Sequence, residues 1–74
     1  MQEQEWKALA RIQQQPEGRK LLEMLRAERE ECRDKLETCR DSNEVVRLQG
    51  QAFAIKQLIE RFESAREVVE ARFT

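Results

Sequence analysis

Two apolar stripes, one residue out of step with each other, constrain this chain more than anything else in it. The first is Gly18, Leu22, Leu25, Arg29, Cys32, Leu36, Cys39, spaced 4, 3, 4, 3, 4, 3. The second is Val45, Leu48, Ala52, Ile55, Ile59, Phe62, Arg66, Val69, Phe73, spaced 3, 4, 3, 4, 3, 4, 3, 4. Each is a heptad seam with a 3.5-residue period, as in helices that pack side by side. One continuous helix would carry the first stripe on to Asn43, Val46, Gly50, Phe53 and Gln57. The seam resumes one residue away from that phase, so the chain is expected to turn back and form an antiparallel hairpin.

The residues between the stripes support a turn. Asp, Ser and Asn are poor inside helices and favour caps, and Asp41-Ser42-Asn43-Glu44 supplies all three. Asp41 with Glu44 three residues on resembles a capping box. Pairing the seams so that residue numbers sum to 84 sets Cys39 opposite Val45, Leu36 opposite Leu48 and Cys32 opposite Ala52. It likewise sets Leu25 opposite Ile59 and Leu22 opposite Phe62. Two arginines interrupt the seam. Arg29 falls opposite Ile55, and Arg66 falls opposite Gly18, where a missing side chain would let the arginine stem cross with its charged head in water.

Upstream, Trp6, Leu9 and Ile12 recur every three residues, with Ala8 and Ala10 beside them, and predict a short amphipathic helix. Pro16 disfavours helix at Gln15 and suits the first turn of a new one. The expected fold is therefore all-α: a coiled-coil-like antiparallel helical hairpin preceded by a short N-terminal helix that breaks near Pro16. Residues 1–74 are read as a single helical domain, with helices at about 2–14, 16–40 and 42–73. A core this small supplies only about 3–5 kcal/mol unless a staple, metal or partner adds to it.

A further stripe lies off the hairpin seam: Val46, Gly50, Phe53 with Ala54, Leu58, Ala65 and Val68. Glycine costs roughly 0.5–1 kcal/mol relative to alanine inside a helix. Its place in Arg47-Leu48-Gln49-Gly50-Gln51-Ala52-Phe53-Ala54-Ile55 points to close approach of another surface. Gly50 and Ala54 are four apart and share a face. In a lone hairpin this stripe faces water, and contiguous exposed apolar surface marks an interaction site. Val46, Gly50, Phe53, Ala54, Leu58 and Trp6 are the candidate partner interface. The cover is expected to be a second copy, a dimer first of all, or else another protein, or the N-terminal helix folding back.

Chemistry-bearing signatures are absent. The chain has no His and no Tyr, and its two glycines are isolated, so there is no Gly-rich phosphate loop. Cys32 and Cys39 are seven apart, about 10.5 Å along a helix, too far to pair with each other; they are expected to be small buried apolar residues. No catalytic residue, cofactor, metal or small-molecule substrate is expected, and the chain is not expected to be an enzyme. Charge is even: residues 1–40 carry nine Lys+Arg and nine Asp+Glu, residues 41–74 five and six. That balance argues against bulk attraction to nucleic acid or anionic membrane. Arg26, Arg29, Arg33 and Arg40 form a ridge, but the interleaved acids Glu28, Glu30, Glu31, Asp34 and Glu37 suit ion pairs within the helix. No apolar run approaches a membrane span, and the first residues lack the features of a signal peptide. The expected location is cytoplasmic.

Pro16-Glu17-Gly18-Arg19, Leu21-Leu22 and Arg47-Leu48-Gln49-Gly50 with Ala52 and Ala54 resemble small helical-hairpin proteins of tailed bacteriophages and prophages, over residues 16–65. The resemblance implies a structural or virion-assembly accessory role, in the host cytoplasm or the virion, with no catalytic residues to carry over. The functional expectation is a non-catalytic helical interaction and oligomerisation module. Its alternatives are a small inhibitor or adaptor of a host protein, and a nucleic-acid-associated accessory.

Overall fold

A computed structural model describes residues 1–74 as three helices: α1 (Glu3–Gln13), α2 (Pro16–Thr38) and α3 (Ser42–Arg72). Each boundary falls within two residues of the expected one. The break between α1 and α2 has the cause read from the sequence. Gln15 is held extended, at φ −89° and ψ 149°, ahead of Pro16, the first residue of α2. At the hairpin turn Asp41 is the N-cap of α3, and its Oδ1 accepts from the N–H groups of Asn43 (2.9 Å) and Glu44 (3.4 Å). The expected capping box is only half formed, because Glu44 turns outward to Arg47 instead of back to the cap.

The hairpin register follows the seams. Within α2 the residues removed from water are Gly18, Leu22, Leu25, Arg29, Cys32 and Leu36, and all of them lie on the predicted stripe. On α3, Leu48, Ile59 and Phe62 are buried, and Val45, Ala52, Ile55, Val69 and Phe73 are half-buried. Contacts across the pair agree: the Cys32 Sγ lies 4.0 Å from Gln51 Oε1, and Leu22 and Phe62 line one cavity.

α3 has 31 residues and α2 has 23; with facing numbers summing to 84, Pro16 at the start of α2 is level with Val68, so α3 runs about 6 Å past it at 1.5 Å per residue. The seam with α2 occupies only one side of the C-terminal turns of α3. α1 covers them: Gln13 Nε2 donates to the Glu63 carbonyl at 3.1 Å, and Val69 shares a groove with Lys7, Ala10, Arg11 and Gln14. Ala65 and Val68, both off the hairpin seam, are buried and half-buried there. The half-buried residues of α1 are Trp6, Ala8, Leu9, Ala10 and Gln13. The expected Trp6-Leu9-Ile12 edge is thus corrected at its end, with Ile12 38% exposed. A spacing of three repeated twice drifts about 120° around a 3.6-residue helix, whereas steps of three and four stay on one face.

Gly18 also needs correction. It does not serve to clear a path for Arg66, whose side chain is 65% exposed and pairs with Glu70 at 3.2 Å. A Cβ on residue 18 would instead overlap the Ile12 carbonyl oxygen, 2.6 Å from the carbonyl carbon and 2.9 Å from Ile12 Cγ2. The glycine permits the tight corner between α1 and α2.

The result is a rod of 48 × 23 × 14 Å with a radius of gyration of 14.9 Å. A compact domain of this length would have a radius near 11 Å. Elongation leaves a thin interior: only six residues are buried, and Phe62 is the largest fully buried side chain.

Candidate interaction surface

The second stripe of α3 divides in two. Its C-terminal part, Ala65 and Val68, lies where α1 packs. Its N-terminal part stays open, with Val46 67%, Phe53 60% and Leu58 42% exposed. Gly50 is also open: a Cβ built there meets nothing within 4 Å. Ala54 is exposed as well, on the same helix face as Leu58, four residues on. The uncovered segment therefore runs continuously into the face that α1 occupies further along the helix.

Trp6, the sixth candidate, is not part of this surface. It is half-buried on the inward face of α1, which packs on the far end of α3. Phe53 and Val69 are separated by about 24 Å along the helix. The N-terminal helix does pack on α3, but on its C-terminal turns, with Gln13 at Glu63 and Ala10 beside Val69.

Because α3 carries both the hairpin seam and the open stripe, apolar residues recur around much of its circumference. Apolar area left in water there costs roughly 25 cal/mol per Å². On α2, Leu21 (44%) and Met24 (59%) are also exposed. Leu21 belongs to the Leu21-Leu22 pair of the resemblance, but both residues fall between the heptad positions, where no burial or contact is expected of them.

Elsewhere the charged side chains pair with one another. Arg26 of the α2 ridge pairs across the hairpin with Glu63 at 3.5 Å, an inter-helix partner where an intrahelical one was expected. Arg33 pairs with Glu30 at 3.4 Å within α2, and Arg29 is half-buried on the seam. Arg47 and Glu44 form a bidentate pair, its Nε–Oε2 distance 3.0 Å. The hydrogen bond from Arg47 holds the Glu44 carboxyl below its ordinary pKa, and the same bond raises the Arg47 guanidinium. Cys32 is buried and Cys39 half-buried, both as free thiols. No three His, Cys, Asp or Glu side chains are gathered as a metal ion would require. No helix is long and apolar enough to cross a membrane.

Compared with protein-family models, curated proteins and solved structures, the chain matches none. The class defined by the fold is thus a three-helix rod, an antiparallel hairpin buttressed at one end by a short helix. Its exposed apolar side chains include those of an open face on the back of the hairpin near the turn.

Proposed function

We propose that this chain is a non-catalytic helical interaction and oligomerisation module that docks through Val46, Gly50, Phe53, Ala54 and Leu58. One observation carries the reading: a phenylalanine and a valine stand 60% and 67% exposed on a regular helix, beyond the reach of the only helix free to cover them. An apolar face of this kind on so thin a rod is a docking surface, because burying it against a partner removes area that the fold itself leaves in water. The balanced charge of both halves makes that docking a packing event rather than an electrostatic one. In the setting implied by the resemblance, the module is an assembly accessory of a phage particle.

The test is Phe53→Glu. The side chain makes little contact within the chain, so helix content and melting temperature should stay near wild type. Association with itself or with a captured partner should be lost, because a buried unpaired carboxylate is strongly disfavoured. A variant that keeps every association of the wild type would refute the reading.

A further inference from the structure

We infer that the occupant of the open face is a second copy of this chain. It docks antiparallel across a two-fold axis at the level between residues 51 and 52, so that Phe53 of each protomer enters the notch at the other's Gly50. The inference rests on the interaction reading above and names its partner.

The face holds a knob and a hole together. Phe53 projects with 60% of its surface exposed. Three residues earlier, Gly50 presents bare backbone, with nothing within 4 Å of where a Cβ would stand. Residues three apart lie on the same helix face. In an antiparallel two-fold pair, the residues facing each other have numbers with a constant sum. Setting that sum to 103 places Phe53 on Gly50 twice, once in each direction, as an isologous contact demands.

The same register sets Val46 against Gln57 of the other protomer, again twice. The apolar stem of Gln57 can lie on the valine while its amide stays at the wet edge. The four facing positions 46, 50, 53 and 57 carry no charge, in a chain of which 39% of the residues are charged. The next step along the stripe is Glu60, which ends the neutral window. Beside the seam, Arg47 lies nearest Ala54 of the other chain and Gln49 nearest Lys56, so like charges do not meet.

A parallel in-register pairing fails on shape. It would set Phe53 against Phe53 and leave Gly50 opposite Gly50, a clash beside a void, and both carry a cost. A second copy offers the knob to the notch and the notch to the knob at matching spacing, twice over the same two-fold axis.

The inference makes a prediction that general stickiness does not: the knob and the hole can be exchanged. Sedimentation equilibrium would be run on wild type, Gly50→Phe, Phe53→Ala, and the double variant Gly50→Phe/Phe53→Ala. Circular dichroism would confirm that all four keep their helices, as open positions allow. Wild type should be a dimer. Each single variant should weaken the dimer about tenfold or more, by overpacking or by loss of the knob. The double variant should recover most of the loss, because the phenylalanine now sits at 50 and faces alanine at 53.

A double variant as weak as the singles would overturn the register, as would single variants that dimerise like wild type. A wild-type chain that stays monomeric at every concentration would overturn the second-copy inference. That last result would leave the interaction reading standing if Phe53→Glu still abolished capture of a different protein.

Discussion

The carbonyl of Ile12 lies where a Cβ on residue 18 would have to be, so the corner between α1 and α2 closes only over glycine. This corner seats α1 against the C-terminal turns of α3. It thereby decides which part of the α3 surface is covered and which stays open.

Gly18→Ala should therefore destabilise the protein by about 1–3 kcal/mol, although alanine is the better helix former. The obstructing atoms are backbone, which cannot swing aside as a flexible side chain would. Trp6 is the only tryptophan and is half-buried on α1, so its fluorescence should shift to the red as α1 lifts. An alanine variant with an unshifted spectrum and a higher melting temperature would show that the corner relaxes freely.

Asp41 caps α3 through two backbone N–H groups. Asp41→Ala should cost about 1 kcal/mol, and Asp41→Asn far less, since asparagine caps comparably. Glu44, in the same turn, adds a pH dependence. Its pKa is lowered in the folded chain by the hydrogen bond from Arg47, so its contribution is present above the ordinary value of 4.5. That contribution is lost as pH falls through the lower, folded value. Chemical denaturation of wild type and Glu44→Gln should converge below that window and separate above it. Curves that stay equally separated at all pH values would rule out the pair as the cause.

Leu48 is buried and Leu36 half-buried on facing seams near the turn. Cysteines placed at both positions, with Cys32→Ala and Cys39→Ala, should crosslink within one chain under mild oxidation. Bonds formed only between chains would indicate one long helix in place of the hairpin.

Periodicity made the hairpin legible, because burial of one face repeats every 3.5 residues and a turn shifts that phase. Asp41 and Pro16 were legible for local reasons of capping and backbone restriction. What stayed hidden depended on contacts distant in sequence. The job of Gly18 rests on the position of the Ile12 carbonyl, which no spacing encodes. Gln13 reaches Glu63 across fifty positions, and a glutamine carries no pattern that announces it. The open stripe was legible as a stripe. Where α1 would end along it was not, because that depends on how the corner at Gly18 and Ile12 aims α1.

The central claim is that the face around Gly50 is a packed contact between molecules, and one pair of substitutions there sets two effects of opposite sign against each other. Leucine or alanine at position 50 raises helix propensity by roughly 0.5–1 kcal/mol, and in the isolated protomer the added Cβ meets no neighbour. A packed interface opposes that gain, because leucine overfills the notch at both symmetry-related contacts. The decisive measurement is sedimentation of wild type, Gly50→Ala and Gly50→Leu at equal concentration. The account predicts that the leucine variant falls to a smaller species while its helices remain intact. A leucine variant that keeps the wild-type mass and melts higher would contradict it.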